Sequence, residues 1–184
     1  MLTAAREEFA ARGYDGATVR RIAERAGVDA AMVNHWFGNK ESLFTASLQV
    51  PVDPARIRAE VLPGDPELLG ERVVRRFLMI WDGAGSEPMV GLLHSVAAHP
   101  SAARMMREFV ARVMIVPVVS TVAPDHHDER GALVASQLLG LGLVRYVIEL
   151  EPLASASHDD VVAALAPTLQ RYLTGDLGSM KPDS

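Results

Sequence analysis

Residues 18–44 read TVRRIAERAGVDAAMVNHWFGNKESLF, and the way this stretch is punctuated decides the fold. Val19, Ile22, Ala23 and Ala26 recur at i, i+3, i+4 and i+7, the spacing of one apolar helix face. Gly27 is free to take positive φ and stops that helix at its C′ position. Asp29 can cap a second helix, because its carboxylate accepts from N–H groups that the first turn leaves unpaired. That helix runs to about Phe37, where Gly38 breaks it and Asn39 can cap a third. Two short helices joined by a tight glycine-containing turn form the helix-turn-helix pattern. Val33 and Phe37 point inward. Ala30, Ala31, Asn34 and His35 face outward, on an element of the width that a DNA major groove admits.

Upstream, the spacing of Leu2, Ala5 and Phe9 predicts a helix over Leu2–Arg12, ended by Gly13 and a turn at Tyr14-Asp15-Gly16. Thr18 is a good N-cap for the stretch that follows. Downstream, a helix from Lys40 puts Leu43, Phe44 and Leu48 against a core. Pro51 and Pro54 end it, since a proline in a helix interior costs about 3 kcal/mol. The boundaries are therefore a helix-turn-helix domain over 1–49, a larger helical domain over 50–176 and a flexible tail over 177–184.

The larger domain opens on four prolines within 51–66 around a short helix, Ala55–Val61, a composition that makes a stiff connector. Leu68, Leu69, Arg72, Val73, Phe77 and Ile80 give an amphipathic helix from Pro66 to Trp81. Helices over Glu87–Ala98 and Ser101–Val122 come next, separated by His99-Pro100, with a kink expected at Pro117. A polar loop at 125–128 precedes a long apolar helix, Glu129–Leu150. Ala132, Ser136 and Gly140 stand four apart there, a stripe of small residues that lets a partner helix approach closely. A last helix spans Asp159–Leu173, and its Pro167 predicts a kink or break. There is no β signal and no internal repeat. The fold class is all-α, with about nine or ten helices.

Composition narrows the function classes. Hydrophobic residues make up 49% of the 184, enough for a sizeable core, and the absence of cysteine excludes disulfides and thiolate metal sites. No apolar run reaches the ~20 residues of a membrane span, and no secretory leader opens the chain. A soluble cytoplasmic protein is expected. The net charge of −5 argues at first against nucleic acid. Residues 1–49 are balanced, however, with six cations against six carboxylates, so the whole deficit lies downstream. Arg20, Arg21, Arg25, His35 and Lys40 cluster within the motif.

Gly13-Tyr14-Asp15-Gly16-Ala17-Thr18-Val19, then Ile22-Ala23, Ala26-Gly27-Val28 and Trp36-Phe37-Gly38-Asn39-Lys40-Glu41-Ser42-Leu43, resemble the tetracycline-repressor (TetR) family of bacterial regulators. Leu139–Ala154, with Arg145-Tyr146 and Glu151-Pro152-Leu153, is similar to actinobacterial members. The resemblance implies a ligand-responsive transcriptional regulator, most often a repressor. It implies a homodimer whose two motifs occupy successive major grooves of a pseudo-palindromic double-stranded operator. It also implies that the larger domain binds a small-molecule effector and dimerises, with release from DNA on ligand binding. Thr18 and Lys40 fall where the family contacts phosphates, and Arg20 where some members touch a base. Ala30, Ala31 and Met32 open the recognition helix, with Asn34 and His35 at positions where tyrosines commonly touch DNA. Trp36 stands where the family often has histidine, and the chain opens without the basic arm that many members carry.

Candidate residues have competing readings. Arg20, Arg21 and Arg25 are a DNA face or the solvated side of a helix. Arginine can read guanine O6/N7, whereas Ala30 and Ala31 offer thymine-methyl contact alone. Lys40 at a helix start opposes the dipole, which an external anion would offset. Met79, Trp81, Met89, His94, Met105, Met106, Phe109 and Met114 line an adaptable ligand cavity or fill an ordinary core. Arg145, Tyr146 and Glu149 orient a ligand or pair locally. His94, His99, His126, His127 and His158 match no tight metal-ligand spacing, so no metal and no cofactor are expected. No Ser-His-Asp context, phosphate loop or nucleophile motif appears, so no enzymatic activity is expected. The rival class is a metal- or ligand-sensing helical dimer that acts through protein partners.

Overall fold

The computed structural model describes residues 1–48, 53–83, 90, 100–123 and 125–178, and among these every regular element is helical. The helix expected over 87–98, with Met89 and His94, lies outside the described residues.

The N-terminal unit is α1 (Leu2–Gly16), α2 (Val19–Ala26), α3 (Ala30–Phe37) and α4 (Lys40–Leu48). Its helix starts are built as the side chains dictate. Thr18 Oγ1 accepts from the Arg21 amide at 3.3 Å, Asp29 Oδ1 from Ala31 at 2.6 Å and Asn39 Oδ1 from Ser42 at 2.8 Å. Each such cap contributes about 1 kcal/mol. Gly27 ends α2 at φ 68°, the left-handed conformation that most residues avoid. Gly13 interrupts α1 at φ 71° and ψ 175°, but the chain resumes a helical turn to Gly16 instead of ending at Arg12. Phe9, Ile22, Val33, Leu43 and Phe44 form the core, with Phe9 edge-on to Phe44 at 4.8 Å.

The larger unit comprises α5 (Pro54–Val61), a 3₁₀ turn (Pro66–Leu68), α6 (Leu69–Asp82), α7 (Pro100–Glu108), a π-helical stretch (Phe109–Ile115), α8 (Val116–Val122), α9 (His127–Tyr146) and α10 (His158–Thr174). That makes ten α-helices among the described residues. α6 and α10 form the most extensive helix pair. Gly70 is the reason they approach so closely, since a Cβ there would lie 2.5 Å from the Ala166 carbonyl oxygen. Gln170 then seals the start of α6. Its Oε1 accepts from the Gly70 amide at 2.7 Å, and its Nε2 donates to the Pro66 carbonyl at 2.9 Å. The core gathers Leu69, Val74 and Leu78 with Val119, Val134, Val161 and Leu169.

Several expectations are corrected. α10 runs unbroken through Pro167, because Pro167 and Ala163, whose carbonyl loses its donor, both face solvent, where water replaces the bond. Leu68 is exposed, since the chain enters α6 through a 3₁₀ turn that rotates it off the apolar face. Ahead of Pro117 the chain forms the π-helical stretch, and α8 starts with the proline in its first turn, where no donor is needed. α9 begins at His127 and ends at Tyr146, short of Leu150.

The end of α10 is tied down. Arg130, 2% exposed, donates to the Asp125 carboxylate and to the Tyr172 and Gly175 carbonyls at 2.7–3.0 Å, joining the start of α9 to the end of α10. No helix among the described residues is long and apolar enough to cross a membrane.

Candidate nucleic-acid interface and ligand site

α3 has two contrasting sides. Val33 is buried, and Ala30 and Phe37 pack partly against the core. Ala31, Asn34 and His35 are exposed, together with Met32 at 45% and Trp36 at 51%. Two large apolar side chains left in water at i and i+4 form one face, and that face carries no carboxylate. Asp29, the nearest acid, is engaged as the cap.

The cations around α3 divide into committed and available. Arg25 reaches Glu7 at 2.7 Å and Glu8 at 3.8 Å, so it ties α2 to α1. Arg20 pairs with Glu24 at 3.1 Å on an exposed surface, an interaction of a few tenths of a kcal/mol that a phosphate or base easily displaces. Arg21 is exposed and makes no side-chain hydrogen bond or ion pair among the described residues. Lys40 rests its ammonium 4.7 Å from the Tyr14 ring centroid and donates to the Asp15 carbonyl at 3.4 Å. Those contacts offset the helix dipole without an external anion and hold Lys40 beside the turn that leads to Thr18. The Thr18 hydroxyl accepts within its cap, which leaves its own hydrogen to donate outward.

The residues proposed for ligand contact separate into three places. Trp81 is 2% exposed and stacks on Tyr146 at 4.8 Å and 13°, with the Arg145 guanidinium 5.5 Å from the Tyr146 ring. Gly142 makes room for the indole, since a Cβ there would lie 2.8 Å from Trp81 Cζ2. Trp81 Nε1, Arg145 Nε and Tyr146 Oη are all buried without a hydrogen-bond partner. Each such group costs about 1–3 kcal/mol when left unmet. Burial first, and then the Asp82 carboxylate, push the Tyr146 phenol up to about 12. Asp82 is itself hydrogen-bonded to His158 Nε2.

Met105 and Phe109 lie elsewhere: both are buried in the core of the N-terminal unit with Phe9 and Phe44. Met79 is 47% exposed, and Glu149 lies exposed beyond the end of α9 at φ 53°. Neither belongs with Trp81. Period-3.6 arithmetic places an apolar residue on a helix face but not against a particular core. On α9, Ala132 and Ser136 are exposed, open space surrounds the Cβ position of Gly140, and Leu143 stands largely in water. Among the described residues, no group of three or more His, Asp or Glu could hold a metal.

A joint between the two units has no signal in the sequence. Glu108 accepts from the Tyr14 amide at 2.7 Å, and its Oε1 lies 2.8 Å from where a Gly13 Cβ would be. A carboxylate here satisfies main chain that the Gly13 break exposes. α7 and the first residue of the π-helical stretch thus complete the N-terminal core, while Ile115, at the far end of the same stretch, belongs to the larger core.

Comparison with known proteins finds two matching family models. Residues 1–46 match the family described as "Bacterial regulatory proteins, tetR family", and residues 67–173 match "Tetracyclin repressor-like, C-terminal domain". The chain is similar to the HTH-type transcriptional repressor AcnR of Corynebacterium jeikeium, 43% identical over 70 residues, which cover 38% of this chain and 35% of that protein. To AcnR of Corynebacterium glutamicum it is 50% identical over 46 residues, 25% of this chain and 24% of the relative. The match therefore spans about a third or less of these curated relatives' length. The crystal structure of a TetR-family regulator from Streptomyces coelicolor A3 is 36% identical, covers 94% of this chain and 91% of its own, and superposes with a TM-score of 0.50.

Proposed function

Because this chain belongs to the tetR family of bacterial regulatory proteins, we propose that it is a transcriptional repressor released from its operator by a small molecule. The observation that carries this reading is the outer face of α3, where Met32, Asn34, His35 and Trp36 are left in water on a helix whose other side is buried. In the proposed complex α3 lies in the major groove, and Asn34, His35, Met32 and the Ala31 methyl group meet base edges, while Ala30, expected to face outward, is turned partly against the core. Thr18 and Lys40 hold phosphates, and Arg20 exchanges Glu24 for a base or phosphate.

The Ala132/Ser136/Gly140 face of α9, with α10, forms the dimer contact that sets two α3 helices about 34–36 Å apart. An effector beside Trp81, Arg145 and Tyr146 favours a dimer in which that spacing no longer matches. The Glu108–Tyr14 joint carries the shift to α1, and a coupling of ~1–3 kcal/mol lowers operator affinity 5- to 150-fold.

The test uses DNA enriched by the purified protein from a random pool. Lys40→Ala should weaken all sequences alike and reduce the salt slope by about one. Arg20→Ala should relax preference at one base pair by ~1–3 kcal/mol. Equal loss at every base pair in both variants would remove Arg20 from base reading. Gly140→Leu should be monomeric in sedimentation, and a dimer would remove α9 from the interface.

A further inference from the structure

Resting on the effector reading above, we infer that the ligand carries a carboxylate, received by Arg145, Trp81 and Tyr146. The three side chains form one contiguous patch, with Trp81 stacked on Tyr146 and the Arg145 guanidinium over the same phenol. Trp81 Nε1 and Arg145 Nε are buried with no partner, the Tyr146 hydroxyl lies beside Asp82 without a well-formed hydrogen bond, and Trp81 as a whole is 98% buried. An indole N–H and a guanidinium Nε–H can only donate, and a phenol can donate. What completes this patch is therefore an acceptor.

Charge narrows the choice further. Arg145 spends Nη1 on the Leu153 carbonyl at 2.6 Å and makes no ion pair among the described residues. A half-buried guanidinium without an anion selects one, and its planar fork matches a carboxylate. Asp82 gives one oxygen to His158 and lies beside the Tyr146 phenol, and it makes no ion pair with Arg145. Asp82 also argues against a dianionic phosphate, which would place two charges beside a carboxylate with one cation to meet them. A monoanion balances. The rings of Trp81 and Phe77, with centroids 5.6 Å apart, offer its carbon body an apolar wall.

Calorimetric titration of the full chain with octanoate, benzoate and indole-3-acetate, each against its primary amide, and with inorganic phosphate tests this inference. At least one acid should bind about tenfold or more tighter than its amide, the worth of one charge-assisted hydrogen bond. Arg145→Met should abolish that preference, and Arg145→Lys should restore part of it. Tyr146→Phe keeps the ring stack and removes one donor, so it should weaken the acid several-fold while the melting temperature stays near that of the parent. Trp81→Phe should weaken the acid similarly and lower the melting temperature, because the smaller ring leaves a cavity beside Gly142. Amides binding as well as acids, phosphate in place of the acids, or acid binding undiminished in Arg145→Met and Trp81→Phe would overturn the carboxylate assignment and leave the effector reading standing. If none of the titrants binds or alters operator occupancy, the effector reading falls together with it.

Discussion

The N-terminal unit and the helical bundle treat polar groups in opposite ways. In the first, Thr18, Asp29 and Asn39 each meet an amide, and the buried Glu8 lies 2.9 Å from Arg12, although its Oε1 accepts no aligned hydrogen bond. In the second, Trp81, Arg145 and Tyr146 bury donors that nothing in the described chain meets. A unit proposed to present one rigid face to a groove gains from helix starts that are capped from within. A unit that must change state on binding gains from groups whose partner arrives from outside. On the proposed function, the difference places the first unit's role on its surface and the second's in its interior.

Substitutions can break or sharpen that contrast. Phe109→Ala should have the largest effect, about 3–5 kcal/mol, because it opens a cavity in the N-terminal core although the residue lies far downstream in sequence. Urea denaturation followed by Trp36 and Trp81 fluorescence should show the Trp36 region destabilised; a change confined to Trp81 would sever the joint. Arg130→Met should cost about 2–3 kcal/mol by leaving the Tyr172 and Gly175 carbonyls and the Asp125 carboxylate unmet.

The same clamp has a pH signature. The Arg130 hydrogen bond holds the Asp125 carboxyl below its ordinary value. Its contribution is therefore full above the unfolded pKa of about 3.9 and is lost as pH falls through the lower folded value. The gap between parent and Arg130→Met melting temperatures should narrow in acid below about pH 4, keeping the share owed to the two carbonyls, and a gap independent of pH would contradict the assignment. Asp29→Ala should cost about 1 kcal/mol as an ordinary cap loss. Tyr146→Phe, at the other extreme, should leave stability unchanged or raise it by up to about 1 kcal/mol, since it deletes a buried hydroxyl that has no partner. A loss as large as that of Asp29→Ala would mean that the bundle is as internally satisfied as the first unit.

Legibility followed the same divide. The first four helices could be read from local chemistry, because their starts and stops are set by Thr18, Gly27, Asp29, Gly38 and Asn39 acting on neighbouring backbone. Their outward residues came with them, since a capped amphipathic helix has a determinate face. Helices of the bundle were readable as periodic runs, but their partners were not. Met105 and Phe109 have the composition of a pocket and belong to the other core. Met79 has the same composition and faces water. Pro167 carries a helix-breaking signal that solvent exposure cancels. Glu108, Arg130 and Asp82 act across long separations on carbonyls, amides and a histidine, none of which leaves a pattern in the chain.

Selection of DNA from a random pool by the purified protein, repeated with an Asn34→Ala/His35→Ala variant, tests most directly that the outer face of α3 reads sequence. The account predicts a pseudo-palindrome with half-sites about one helical turn apart for the parent, and loss of the enriched half-site in the variant. Failure to enrich any sequence, or enrichment of the same half-site by the variant, would contradict it.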